Sequence, residues 1–585
     1  MEAPTDTLGP VQFGTYELDV RARELRSGAT RIRLQEQPFE ILRLMLERAG
    51  HVVTREELRH RLWPAGTYVD FEHSLNAAVK RLRAALGDDA DNPKFVETLP
   101  RRGYRFIAPL GQSAVPAAAP GAPAAVRPRL AVLPFADLMT ADAAQEYFSD
   151  GLTEEMIAQL GTLCGGRIGV IARWSSMVFK GTTCRAREIG EALRADYLLE
   201  GSVRREGDRV RITARLIETA GETHLWSETY ERQLGDTLSV QADVAARIAR
   251  SLATELAGGS EPRPSRTPAP AAYQAYLKGR YYWNKSGAEG LEDAVTFYQQ
   301  ALAASADFGA AHAALARAYI ARAEYYTAPP RENLLLARAA ARRSLELDPS
   351  LYEGHMAAGD TLRMLDFDWT GAEDAYRQAI GLNPSFESAH RSYAVLLGIH
   401  GRHAEAVRAS ERACELDPLC LVVGSTAAWV RFAAGDYDAV VEHCRNTLDM
   451  SPDFIPARRL LAVAYLLSGQ PGRAITELDT ALAATGADPL ILSWFAHARA
   501  VTGAHAAGAE LLAQARALTG RRHVSSYHLA LAHTGLGDPD SAFAALDQAW
   551  LDRDPALPAV VLDPRFDPLR GDTRYAELRQ RLGLG

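Results

Sequence analysis

One spacing limits what the second half of this 585-residue chain can fold into. The pairs Asp348-Pro349, Asn383-Pro384, Asp417-Pro418, Ser451-Pro452 and Asp488-Pro489 place a proline every 35, 34, 34 and 37 residues. Gly401, Gly435 and Gly469 lie 34 apart between those prolines. The intervening residues have helix-type composition, so the repeating unit is a pair of helices. Proline lacks an amide hydrogen and clashes with the preceding turn, so it ends one pair and opens the next. Glycine closes the first helix of each pair. Small residues, Ala372, Ala379, Ala406 and Ala413, sit where two helices must approach closely, and Tyr376 and Tyr393 fill the gaps. About eight pairs are expected between 271 and 585, the first and last irregular because they cap the stack.

A 34-residue period of this composition resembles the tetratricopeptide repeat, which implies a C-terminal all-α solenoid. Its concave groove accepts an unknown peptide or protein, and a structural spacer or dimerisation arm fits the same pattern equally well. Two Pro-rich stretches divide the rest of the chain. Residues 111–128 (GQSAVPAAAPGAPAAVRP) and 258–270 (GGSEPRPSRTPAP) cannot bury a core and read as linkers. The chain is thereby expected to be multi-domain, with folded segments at 11–110, 129–257 and 271–585.

Charge is unevenly distributed among them. The whole chain carries −8, yet residues 11–110 hold 17 Lys+Arg against 14 Asp+Glu, a balance of +3. Within this basic segment, residues 11–34 alternate as short antiparallel strands. Pro38 opens a helix with Phe39, Ile41, Leu42, Met45 and Leu46 on one face. Thr54 and Glu57 form a capping box that starts a second helix, which runs through Trp63 to Pro64. A third helix from about Ser74 to Leu86 turns Leu75, Val79, Leu82 and Leu86 inward. Asn76, Lys80, Arg81 and Arg83 occupy its opposite face. Residues 95–99 and 104–107 alternate as a hairpin around Pro100-Arg101-Arg102-Gly103. A basic helix face taken alone is most often solvated surface. A capped helix, a basic helix and a basic hairpin in this order instead make a winged helix-turn-helix of α+β class, suited to the grooves and phosphates of a duplex.

The stretch TREELRHRLWP…SLNAAVKRLRAALGDD…FVETLPRRGYRF resembles the effector domain of OmpR/PhoB-type transcriptional regulators. Carried over position by position, the resemblance puts Asn76 and Arg81 on the base-contacting face. Lys80 and Arg83 flank it toward phosphates, and His73 lies near the helix start. Trp63 takes the place of a tryptophan near the DNA backbone, and Arg101 and Arg102 fall in the wing. Pro100 departs from the family, which often has a basic residue there. The resemblance also implies contact between RNA polymerase and the loop Pro64–Glu72. About ten residues precede the domain, so no receiver domain and no aspartyl-phosphate switch is expected. The order of segments resembles the soluble HilA-like invasion-gene activators of enteric bacteria, which also end in tetratricopeptide repeats.

The middle segment alternates β and α. Strands are expected at 130–135 and 168–172, a helix opening at Asp150, and a helix at 186–195. Strands at 197–203, 209–218 and 222–230 follow, then a helix at 238–256. The strings LAVLPF, EYFSDGLTEEMIAQL, YLLEGSVRREGDRVRITARLI and HLWSETYER resemble the TolB-amino-terminal or FlgO-like domain, a central α/β module with no established catalytic role.

Several function classes find no support. There is no phosphate-binding loop, dinucleotide fingerprint, zinc-protease motif or nucleophile elbow, so no catalytic residue and no cofactor is expected. Glu154-Glu155 reads as the acidic first turn of a helix. The cysteine and histidine spacings do not make a metal site. Trp174, Trp226 and Trp283 are expected to pack rather than stack on a ligand. Five cysteines without a close pair argue for a reducing compartment. Met1 is followed by Glu2 and Asp6 rather than a basic, apolar leader, and no stretch is apolar enough to span a membrane. The expected protein is a cytoplasmic, one-component bacterial regulator, nucleoid-associated when bound. It binds double-stranded promoter DNA, possesses a route to homo-oligomers, and senses a ligand or protein partner through its later domains. The rival reading is an interaction scaffold in which DNA binding is secondary.

Overall fold

Left-handed backbone recurs at Gly401, Gly435, Gly469, Gly503 and Gly537 in the computed structural model, and each step is 34 residues. Each of these glycines separates the two helices of a pair, where a side chain would be strained. The proline marker drifts after residue 452, but the glycine marker does not. Among the described residues, eight helix pairs result, from Pro270–Trp283 with Ala288–Ala304 to Ser526–Gly535 with Pro539–Asp552. Two short 3-10 turns and the helix Thr573–Arg581 complete the chain. The third pair is irregular. Its first helix, Tyr352–Thr361, runs into a π-helical turn at Leu362–Asp366. Phe367 then takes the left-handed slot, 34 residues before Gly401, with φ +55°.

The model describes residues 11–111 with gaps at turns and across 59–70, then 127–137. It further describes 146–233 apart from 165 and 207–208, Arg247, and 268–585 apart from 285–287 and 520–521. Residues 112–126 of the first linker, most of the linker at 258–270 and all but Arg247 of the helix expected at 238–256 lie outside the described residues. The chain forms two compact units, Met1–Val126 and Arg127–Gly585.

In the larger unit the middle segment builds a sheet in the order β11 (Gly169–Val170), β9 (Arg129–Val132), β12 (Tyr197–Glu206), β13 (Arg209–Glu218) and β14 (Thr223–Gln233). The long helix Glu146–Leu163 presses Leu152, Met156 and Leu160 onto it. This helix begins four residues before Asp150, so Glu154-Glu155 sits in its middle rather than its first turn. Burial alone would push the Glu154 carboxyl up. Arg280 and Arg173 outweigh burial and hold it below its usual range, Arg280 through a short ion pair from the repeats. The sequence carries no sign of these cations because they come from distant segments. Trp174 is also a correction: it is 37% exposed, whereas Trp226 and Trp283 pack as expected.

Strand β11 is the sheet edge, and an edge strand leaves backbone groups without partners. The solenoid supplies them from its Asx-Pro turns. Val170 N donates to Ser385 Oγ at 3.1 Å, and Ala172 N donates to Leu416 O at 2.7 Å. Asp417 Oδ1 accepts from Ser175 N at 3.0 Å and from Ser175 Oγ at 2.5 Å. Gly161 faces Asn383 so closely that a Cβ would lie 2.6 Å from its Oδ1. The same turns that punctuate the repeats thus hold the middle sheet.

The N-terminal unit has a sheet of order β4 (Thr30–Ile32), β3 (Glu24–Ser27), β2 (Tyr16–Asp19), β1 (Val11–Phe13), β8 (Leu110–Gly111), in which β8 returns to pair with β1. A second sheet has the order β5 (Val52–Thr54), β7 (Gly103–Phe106), β6 (Val96–Leu99). The helices Glu36–Glu47 and Phe71–Leu86 pack Phe39, Leu42, Met45, Leu75, Val79 and Leu82 against Phe13 and Phe106 in one core. This is the expected winged helix.

Candidate nucleic-acid interface

The helix Phe71–Leu86 has one buried stripe, Leu75, Ala78, Val79, Leu82 and Leu86. That stripe fixes which residues face outward. Lys80, Arg81 and Ala84 are exposed. A left-handed Gly87 ends the helix, and Asp88 N donates back to Arg83 O at 2.9 Å. The Asp88 carboxylate then accepts from the amides of Lys94, at 2.6 Å, and Val96, at 2.8 Å. Helix end and wing strand are therefore pinned together by one side chain.

Arg83 departs from its expected role. Its guanidinium donates to Val96 O at 2.6 Å and Thr98 Oγ1 at 2.8 Å. It ties the helix to β6 instead of reaching toward phosphates. The reason is the 3.6-residue turn, which rotates position 83 to the flank beside the hairpin. Asn76 shares that flank. Its Oδ1 accepts from Tyr104 Oη at 2.9 Å and from the Arg55 guanidinium at 3.5 Å. Arg55 also reaches Tyr104 Oη at 3.3 Å and lies over its ring at 5.4 Å. Arg55 and Tyr104 are functional candidates that the sequence reading missed. The signal available was Tyr104 itself, an aromatic with a polar tip in a wing strand.

In the wing, Arg102 is exposed and its amide closes the turn onto Leu99 O at 3.0 Å. Gly103 follows at φ +156°, and a Cβ there would lie 2.1 Å from Val53 O. Gly103→Ala is expected to break the β5–β7 pairing at a cost of roughly 2–4 kcal/mol. Hydrogen exchange of the full chain should then show lost amide protection across Val52–Thr54 and Gly103–Phe106, and full protection would refute it. The Thr54–Glu57 box forms as expected, with Thr54 N donating to Glu57 Oε2 at 2.8 Å. Trp63, Pro100, Arg101 and most of the Pro64–Glu72 loop lie outside the described residues. His73 lies in the helix backbone, and its side chain is not among those described.

The sequence of residues 29–106 matches the family described as transcriptional regulatory protein, C terminal. Residues 29–106 are an OmpR/PhoB-type domain. Residues 126–248 match the HilA/YgeH-like transcriptional regulator, second domain, and residues 431–493 match the tetratricopeptide repeat. The OmpR/PhoB-type domain, the HilA-like domain and the repeats thus follow one another along the chain. Transcriptional regulator HilA of Salmonella typhimurium is 23% identical over 424 residues, covering 72% of this chain and 73% of that protein. A Rhizobium meliloti protein named as an adenylate cyclase is 36% identical over 234 residues. That match spans 39% of this chain and 39% of the cyclase-named protein, well under two thirds of its length. The Klebsiella pneumoniae RstA DNA-binding domain, solved in complex with RstA box, is 28% identical with a TM-score of 0.16. It covers 17% of this chain and 96% of that one. Among the described residues, no helix is long and apolar enough to cross a membrane.

Proposed function

We propose that this chain is a one-component bacterial transcriptional regulator that binds promoter DNA through its OmpR/PhoB-type domain. The carrying observation is the outer face of the helix Phe71–Leu86, where Lys80 and Arg81 are exposed while the opposite stripe is sealed in the core. Such a helix enters a major groove, and the Arg101-Arg102 wing meets phosphates or a narrow minor groove. Arg81 is the base reader and Lys80 a phosphate contact. Asn76 already spends its oxygen on Tyr104 and Arg55, so its amide hydrogens face outward. It reads acceptors, a purine N7 or a carbonyl oxygen, rather than gripping adenine with both atoms.

His73 and Trp63 approach the backbone, and the Pro64–Glu72 loop offers RNA polymerase a contact. One winged helix binds weakly, so self-association through the larger unit brings two copies to paired half-sites. The larger unit senses a ligand or partner, and the protein works in the cytoplasm, on the nucleoid when bound. It is a regulator rather than an enzyme, the cyclase-named relative notwithstanding.

The experiment is genome-wide DNA binding of the intact protein beside Arg81→Ala. Discrete promoter peaks that vanish in the variant support this reading. Binding that is unchanged in the variant, or absent under every growth condition, favours the scaffold reading, in which the repeats carry the main function.

A further inference from the structure

The repeats curl until their C-terminal end meets their second and third helix pairs. Tyr326 Oη donates to Asp554 Oδ1 at 2.7 Å across 228 positions. Trp369 Nε1 donates to the backbone oxygen of Leu582, also at 2.7 Å, across 213 positions. The space enclosed is a cavity of about 850 Å³, the size of a site for a small organic molecule.

Its lining carries five arginines against three carboxylates. Most of these charges are matched. Arg565 forks onto Asp563 at 2.7 Å, Arg363 donates to Tyr376 Oη at 3.1 Å, and Arg522 lies 4.0 Å from Asp488. Arg459 differs from these three. Its Nε is buried without a hydrogen-bond partner, and so is Nε1 of Trp494, the ring that Arg459 covers at 5.1 Å. Arg565 lies over the same ring at 4.2 Å, so two guanidinium groups converge there. Burial pushes the Arg459 guanidinium down to about 10, against the pull of Asp488. His528, beside the same ring, is held far below its ordinary value by burial and then by Arg459 and Arg565, so it is neutral and adds no charge. A buried N–H without an acceptor is strongly unfavourable. The remaining wall mixes hydroxyl side chains such as Thr426 and Ser525 with apolar and aromatic ones, among them Trp429, Phe432 and Leu460.

We propose that this cavity binds a small organic anion, its carboxylate or phosphate oxygens on Arg459 and Trp494 Nε1 and its flat apolar body against Trp429 and Phe432. The ligand sits where the C-terminal end of the solenoid meets its earlier pairs and holds them together. Its role as the effector rests on the regulator reading, but its binding does not, and the test uses no DNA.

The test titrates the full chain with two fluorescent probes, 1-anilinonaphthalene-8-sulfonate and its uncharged relative N-phenyl-1-naphthylamine. The anion should saturate one site per chain and bind at least about tenfold more weakly to Arg459→Met, with the neutral probe indifferent to the substitution. Melting of the wild-type chain provides a reading that needs no variant: the anionic probe raises Tm and the neutral one does not. Displacement by benzoate assigns a carboxylate ligand, and displacement by phenyl phosphate assigns a phosphate. Displacement by neither, displacement only by an acidic peptide, or equal binding of both probes overturns the proposal.

Discussion

The double variant Lys80→Ala/Arg81→Ala is expected to bind operator duplex at least about 100-fold more weakly than the wild-type chain at fixed salt. Each side chain is exposed on the outer face of the helix Phe71–Leu86, so the loss falls on DNA contacts rather than on packing. Removing the phosphate contact should also lower the slope of log affinity against log salt by about 1. Arg83→Ala makes the contrast. Its guanidinium bridges to Val96 O and Thr98 Oγ1, so its loss should cost about 1–3 kcal/mol of stability. Fluorescence anisotropy at two salt concentrations, beside thermal melting, separates the cases. If Arg83→Ala melts like wild type yet no longer binds DNA, its guanidinium belongs on the duplex and the wing-tie assignment is wrong.

Asp417→Ala should loosen the middle sheet from the solenoid, at about 2–4 kcal/mol, because Ser175 would lose the acceptor of both its N–H and its hydroxyl. Asp417→Asn should not, since it keeps Oδ1 and removes a buried charge. The preceding repeat already has Asn383 in the equivalent place, bonded to Ser385 N at 3.0 Å. Burial, then the nearby Glu387, pushes the Asp417 carboxyl up to about 7, against the hydrogen bonds from Ser175. The folded state therefore holds this proton to higher pH than the unfolded chain. The stabilising contribution is complete below the ordinary carboxylate range and is lost as pH rises through about 7. Melting between pH 5 and 8 should show this decline in the wild-type chain and not in Asp417→Asn. A wild-type profile identical to that of the Asn variant would show that Asp417 is ionised throughout.

Much of the fold was legible because its causes are local. The 34-residue markers, the Thr54–Glu57 box and the apolar stripe of Leu75, Val79, Leu82 and Leu86 each depend on residues within a few turns of one another. The boundary errors have the same logic. Expected strand 168–172 shrinks to Gly169–Val170 because Ala172 N goes to Leu416 O, a partner more than two hundred residues away. Gly503 and Gly537 continue the glycine period, but the drift of the prolines hid them.

The candidate site divides in the same way. Helical periodicity alone turned Lys80 and Arg81 outward, and the structure agrees. It equally turned Asn76 and Arg83 outward; Asn76 is exposed, with its oxygen bonded to Tyr104, whereas the hairpin claims Arg83, since a helix wheel has no record of what packs beside it. The sequence by itself determined the repeats, the helix faces and the basic winged helix, because periodicity, capping and turn chemistry act between near neighbours. Tertiary structure alone decided that Arg83 ties the helix to the wing, that β11 borrows its partners from the Asx-Pro turns, and that the Nε of Arg459 is buried without a hydrogen-bond partner. Those outcomes depend on desolvation and on hydrogen-bond partners brought together from distant segments, which no local pattern encodes.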